Sequence, residues 1–250
     1  MKKTPLGWVR SLFFIAQMYV MMAVWGIVFL IPAIFSRDMA LLACKSYAKY
    51  IRLSARWIVG LHTEVRGALP EGEIIIAAKH QSFLDILIIF NALPQAKFIM
   101  KRELMWTPII GVYAKRLGCI PVDRGKRGAA ITQMVQDVAR EFSEPGQLVI
   151  YPQGTRVAPG AQKSYKVGSG VLYVGLKQPC VPVATNVGLL WPRSGILRKP
   201  GLGTVEFLDP IPPGEPRDVF MTELETRIEA RSDALMAELG FDKDELRRID

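Results

Sequence analysis

The hydrophobic pattern divides the chain into an apolar lead, a short basic stretch and an alternating body. Between Arg10 and Arg37 lie 26 residues without a charged side chain, SLFFIAQMYVMMAVWGIVFLIPAIFS. At about 1.5 Å per helical residue, such a run reaches across a hydrocarbon core roughly 30 Å thick. It is too long for a signal peptide, and no small-residue cleavage site closes it. The bland alternative is a buried core helix, yet soluble domains rarely need one so long and apolar on all sides. Basic residues flank both ends: Lys2, Lys3 and Arg10 before, Arg37, Lys45 and Lys49 after. The positive-inside rule therefore gives no orientation, and the pattern alone does not separate spanning from dipping.

The next stretch, DMALLACKSYAKYIRLSARWIVGL, predicts a second helix. Its apolar Leu42, Ala43, Tyr47, Tyr50, Ile51, Leu53 and Trp57 interleave with Lys45, Lys49, Arg52 and Arg56. Such a basic amphipathic helix either lies in a headgroup layer or packs on the domain that follows.

From residue 73 onward, short apolar runs alternate with helical patterns. EIIIAAK, KFIM, CIPV, QLVIYP, CVPVATNV and TVEFLD predict strands. SFLDILIIFNAL predicts a helix, and ELMWTPIIGVYAKRL a helical turn and a helix separated by Pro108. Residues 128–142 carry Ile131, Met134, Val135, Val138 and Phe142 on one helical face. Gly168 to Lys177 and the acidic 216–239 segment complete the helices. The alternation predicts an α/β fold, a parallel or mixed sheet covered by helices. It divides the chain into an N-terminal helical module, 1–60, and one domain, 61–250.

Composition narrows the class. At 250 residues, half of them hydrophobic, the chain is neither disordered nor a small stapled scaffold. Its three cysteines, Cys44, Cys119 and Cys180, cannot all pair and lack metal-ligand spacing, which reads as reduced thiols. The net charge of +9 is uneven: residues 1–208 carry +15 and residues 209–250 carry −6. A basic body suits nucleic acid or an anionic membrane surface. No nucleic-acid motif is present, and nucleic acid would leave the apolar lead unexplained.

Candidate chemistry sits at strand ends. His80 closes the EIIIAAK strand, and Asp85 follows five residues later in the first turns of a helix. A strand end followed by a helix start can fold the carboxylate onto the imidazole, fixing its tautomer and freeing the other nitrogen as a base. The structural alternative makes His80 a capping or buried histidine and Asp85 an acid favoured by the helix dipole. Two basic loops follow strands: Asp123-Arg124-Gly125-Lys126-Arg127, and Pro152-Gln153-Gly154-Thr155-Arg156. Glycine turns let backbone N–H groups approach an anion, and Arg adds a bidentate fork, although solvated turns look the same. On one sheet edge the two loops would cradle a phosphate. No G-x-S-x-G elbow, Walker loop, dinucleotide fingerprint or metal-ligand cluster is present. His62 has no acidic neighbour of this kind and reads as structural.

KHQSFLD, GCIPVDRGKR, YPQGTR and VPVATN, in that order, resemble the four blocks of the glycerolipid acyltransferase family. The resemblance runs from about residue 60 to 212 and points to its bacterial 1-acylglycerol-3-phosphate branch. It implies a helix-covered α/β sheet with an N-terminal two-helix module that dips into the membrane. It further implies acyl transfer from an acyl-CoA or acyl-carrier-protein thioester to the hydroxyl of a lysophospholipid, without a cofactor. The expected setting is the cytoplasmic face of the cell membrane, against an anionic surface. By resemblance, His80 is the general base and Asp85 its orienting partner. Arg124 and the Gly154-Thr155-Arg156 loop hold the acceptor phosphate, and Lys101 lies near it.

One position departs. The third block of the family usually reads E-G-T-R, whereas Gln153 stands here, with the size and acceptor oxygen of glutamate but not its charge. Either the family glutamate is a geometric support, or acceptor recognition is altered, toward a lipid such as a lyso-ornithine lipid. A membrane lipid-binding protein with a dead site is the competing class, and Gln153 is its only support.

Overall fold

The computed structural model describes residues 4–123 and 146–241. Arg124 and the predicted 128–142 helix lie outside the described residues.

The apolar lead forms α1 (Pro5–Val28), capped by the Thr4 hydroxyl, and a short α2 (Leu30–Phe35). Ser36 caps the next helix, α3 (Arg37–Val59), which ends on left-handed Gly60. α1 and α3 form an antiparallel hairpin. Trp25 donates to Ser46, Tyr47 to the Met18 carbonyl, Gln17 to Ser54, and Arg10 to the Ile58 carbonyl. α1 buries only a narrow stripe, Ser11, Phe14, Met18 and Gly26, at helical spacing. Its other faces leave Leu6, Val9, Phe13, Val20, Ile27 and Val28 exposed.

α3 buries Ala40, Ala43, Ala48, Ile51, Ala55 and Val59, small side chains that admit close packing. α3 packs on the domain along this stripe, while Leu42, Leu53 and Trp57 stay exposed. Arg52 turns inward to donate to Thr63 Oγ1 (2.8 Å) and Asn91 Oδ1 (2.9 Å). Removal from water makes its guanidinium easier to deprotonate than usual.

Among the described residues seven strands form one sheet: β1 (Leu61–Arg66), β2 (Ile74–Ala78), β3 (Ala96–Lys101), β4 (Ile120–Val122), β5 (Gln147–Ile150), β6 (Cys180–Thr185) and β7 (Gly201–Phe207). The order is β1-β7-β6-β2-β5-β3-β4. All neighbours are parallel except β6 and β7. The sheet is thus mixed, as expected, with one more strand than the sequence pattern reveals. β1 is an edge strand of sequence LHTEVR whose only buried residue is Leu61. Its partner is β7, about 140 residues away in the chain, so no local pattern signals it. That pairing also starts β7 at Gly201, three residues before the predicted strand.

Strand alternation assigns the two faces. Ile74, Ile76, Ala78, Val149, Val181 and Val183 join a core with α1, α3 and α4 (Leu84–Ala92). Ile75, Ala77, Leu148, Ile150 and Cys180 face α6 (Gly168–Leu176) and α7 (Arg217–Ala237). Phe14 and Met18 of α1 belong to the same core as the sheet. A 3-10 turn (Arg102–Trp106) leads to α5 (Ile110–Arg116). Between them Ile109 sits at φ +67°, with Ile110 N–H bonded to the Pro108 carbonyl at 2.8 Å. That is a γ-turn of the rare positive-φ kind, and it breaks the helix at the predicted place.

Candidate active site

Five adjacent parallel strands end on the same edge of the sheet. That edge carries His80 after β2, the 151–156 loop after β5, Lys101 at the end of β3 and Asn186 after β6. Ligands of open α/β sheets bind at this edge.

The chain between β2 and α4 is a turn built around one carboxylate. Asp85 is fully buried, and its Oδ2 accepts from the Gln81 N–H (2.8 Å) and the Ser82 N–H (2.7 Å). Its Oδ1 lies 2.8 Å from His80 Nδ1. Two backbone donors fix the carboxylate, so it in turn fixes the ring. The imidazole is 13% exposed. Its face stacks on Tyr151 at 4.0 Å between centroids and 21° between planes. Tyr151 stacks on Phe98, and Phe98 on Phe90, continuing the column into the core. Burial, and then the nearby Asp85 charge, hold the Tyr151 phenol well above its ordinary pKa, so it stays protonated.

The loop after β5 is fastened to this turn. The Val157 N–H donates to the His80 carbonyl at 2.8 Å. Gly154 closes a tight turn at φ +68°, its N–H on the Tyr151 carbonyl at 2.8 Å. The Lys166 ammonium packs against Gly154 so closely that a Cβ there would stand 2.9 Å from Nζ. Thr155 and Arg156 follow, half-buried. Arg156 and Arg193 each donate to the other's carbonyl, at 3.5 and 3.1 Å. Lys166 and Arg193 add positive charge to this loop. Sequence reasoning missed both, because each lies ten or more residues beyond the motif.

Of the residues singled out in the sequence, the structure thus joins His80, Asp85, Gly154, Thr155 and Arg156. Lys101 shares the sheet edge but is paired with Glu103 at 3.2 Å. Gln153, expected beside the acceptor phosphate, is turned the other way. It is 2% exposed, and its amide donates to the Lys163 carbonyl (3.3 Å) and toward Glu229 of α7 (3.5 Å). The VPVATN block also serves the frame. Asn186 bonds Thr204 N–H and the Leu235 carbonyl, joining β6, β7 and α7. Gly188 N–H donates to the Gln81 side chain at 3.1 Å, tying this block to the first.

The N-terminal helices reach the same turn. Phe14 meets the edge of Trp191 at 5.3 Å and 82°. Trp191 contacts Phe83, next to α4, at 6.2 Å, and Arg198 lies 4.8 Å over the same indole. Ser11 Oγ accepts the Arg198 N–H at 2.9 Å. The opposite end of α1 is held by Tyr113, whose hydroxyl donates to the Gly26 carbonyl at 3.2 Å.

A family model described as Acyltransferase matches residues 62–186, half of the chain, and spans the His80 turn, the Arg156 loop and Asn186. This chain belongs to the acyltransferase family. The acyltransferase is 27% identical over 239 residues to the Pseudomonas aeruginosa 1-acyl-sn-glycerol-3-phosphate acyltransferase, covering 93% of this chain and 92% of that one. It is 32% identical over 138 residues to the human 1-acyl-sn-glycerol-3-phosphate acyltransferase alpha, covering 54% of this chain and 48% of the human one. It therefore spans nearly all of the bacterial relative and about half of the human one. Its fold matches the crystal structure of the 1-acyl-sn-glycerophosphate acyltransferase PlsC from Thermotoga maritima. The TM-score is 0.75 at 21% identity, over 92% of this chain and 97% of the other. The α/β fold read from the sequence is the observed one.

Proposed function

We propose that this acyltransferase moves an acyl chain from an acyl thioester to the 2-hydroxyl of 1-acyl-sn-glycerol-3-phosphate, giving phosphatidic acid. The observation that carries the reading is the 2.8 Å His80–Asp85 pair, set in a turn whose backbone also holds the Arg156 loop. Asp85 accepts the Nδ1–H and orients the ring, which leaves Nε2 to take the acceptor's hydroxyl proton. The alkoxide oxygen attacks the thioester carbonyl. The tetrahedral species collapses, the C–S bond breaks, and the leaving thiolate takes the proton back from His80. No covalent enzyme intermediate is needed. Arg156 and the Gly154-Thr155 turn hold the acceptor phosphate, with Lys166 and Arg193 adding positive charge. Among the residues singled out in the sequence, Arg124 and Lys101 are assigned to the same phosphate.

The setting we propose is an anionic bilayer surface on its cytoplasmic face. α1 is long and apolar enough to cross a membrane, and most of its surface is uncovered. Its attachment to the domain near both ends, at Ser11 and at Gly26, favours lying in one leaflet over crossing, since a crossing helix carries one end away. The thioester is carried by coenzyme A or by an acyl-carrier protein. The case for a dead site weakens, because Gln153 lies apart from an intact His80–Asp85 pair.

The test is acyl transfer by purified protein to lysophosphatidic acid, with each donor in turn. Wild type is expected to form phosphatidic acid. His80→Ala is expected to lose about 10²–10⁴ in rate while still binding anionic vesicles. Wild-type turnover by that variant would end the reading, and transfer only to a different lyso-lipid would reassign the acceptor.

A further inference from the structure

Behind the sheet edge, on the face opposite His80, lies a partly buried ionic cluster centred on Lys79 and Glu229. Lys79 is 3% exposed. Its ammonium sits 2.6 Å from both carboxylate oxygens of Glu229, on α7. The same Oε1 accepts from the Tyr165 hydroxyl at 2.9 Å and lies 3.5 Å from the Gln153 amide. A buried ammonium needs a counter-charge, and truncating Glu229 would leave Lys79 without its paired carboxylate, with only the electrostatic attraction of Glu225.

Each donor belongs to a different part of the site. Lys79 immediately precedes His80, and its own N–H continues the β2–β6 ladder to the Val183 carbonyl at 2.9 Å. Successive residues at a strand end point to opposite faces. Holding the Lys79 side chain against α7 therefore sets where the next residue, His80, leaves the sheet. Gln153 begins the loop that carries Gly154, Thr155 and Arg156. Tyr165 ends it, where the Lys166 N–H returns to the Pro152 carbonyl at 2.9 Å. One carboxylate thus gathers the root of the base and both ends of the phosphate loop. Gln153 is uncharged, and its Oε1 is buried without a hydrogen-bond partner among the described residues.

We infer that Glu229 is a positioning residue for acyl transfer, supplying from the C-terminal helix the negative charge that position 153 lacks. The cluster requires one carboxylate facing Lys79, and either side chain can provide it. The inference rests on His80 and Arg156 acting as proposed above.

The test is a charge swap in full-length protein, assayed at saturating and limiting acceptor, with thermal unfolding followed in parallel. Glu229→Gln is expected to lower kcat about tenfold or more, approaching the roughly hundredfold that small misplacements cost, and to raise the acceptor KM. Gln153→Glu combined with Glu229→Gln is expected to bring both back to within about threefold of wild type. A double variant no better than Glu229→Gln, or a single variant with wild-type kcat, overturns the inference. If Glu229→Gln does not fold, the swap is read on folded yield and unfolding temperature: recovery supports the inference and its absence refutes it. A wild type that transfers no acyl chain refutes the proposed reaction instead, and the same folding comparison then decides the swap.

Discussion

The Val157 N–H donates to the His80 carbonyl across 2.8 Å, so the residue after Arg156 is bonded to the main chain of the proposed base. Base and phosphate loop therefore shift together. This backbone contact between two strand ends acts together with the side chains gathered on Glu229.

Asp85→Asn keeps the size of the side chain but presents an amide where Oδ1 faces His80 Nδ1. The ring loses its orienting acceptor. The rate of acyl transfer is expected to fall by about 10²–10⁴. Asp85→Ala also leaves the Gln81 and Ser82 N–H groups unpaired in the interior, and should cost about 2 kcal/mol of stability as well. Initial rates and denaturant unfolding of the two variants separate these effects.

Arg156→Ala removes a charged donor from the loop and leaves the His80–Asp85 pair untouched. Its expected signature is a raised KM for the phosphate-bearing acceptor, roughly ten- to hundredfold for a charge-assisted contact, with kcat changed much less. An unchanged acceptor KM would remove Arg156 from the site.

Gly188→Ala tests the frame rather than the chemistry. A Cβ at this position would stand 2.7 Å from Gln81 Cβ and 3.1 Å from Pro159 Cγ. Gln81 must move, and its N–H is one of the two that hold Asp85. A loss of about 1–3 kcal/mol is expected from the overpacking, together with reduced kcat in a residue remote from substrate. Retained kcat in a destabilised protein would show that the turn tolerates the shift.

The pattern along the chain reveals what is local. The H-x-x-x-x-D turn closes within six residues, so its residue types and spacing already describe its geometry. The loop proposed for the acceptor phosphate is legible for the same reason. Residues that act on it from a distance are not. Glu229 reaches Lys79 across 150 positions, and Arg193 reaches Arg156 across 37. β1 is invisible because its alternation is mostly polar and its partner is distant. Gln153 shares its motif with the residues proposed for the acceptor phosphate; the fold, not the motif, turns it inward toward Lys163 and Glu229.

The cysteines carry a prediction about reactivity. Burial, reinforced by nearby Cys119, pushes the Cys44 thiol up to about 12. Burial also raises Cys119 to about 11, despite a backbone hydrogen bond and the Lys97 charge, and it raises Cys180 as well. At pH 8 each is almost wholly thiol, the unreactive form. Alkylation of the folded protein is expected to run at least about hundredfold slower than that of the unfolded chain, without early loss of activity. The folded state also holds these protons more tightly than the unfolded state. Their contribution is therefore fully present below pH 9 and declines as pH rises toward the folded values. A melting temperature that rises over that range would contradict the assignment.

The edge contact between Phe14 and Trp191 has a practical consequence for preparing this protein. Cutting away the apolar lead is the usual route to a water-soluble fragment. Here the cut would strip the cover from Trp191 and the acceptor from the Arg198 N–H, and Trp191 in turn abuts Phe83 beside the His80 turn. A fragment starting after residue 36 would expose new apolar surface in place of the old. Detergent or nanodisc preparations of the whole chain preserve what truncation would remove.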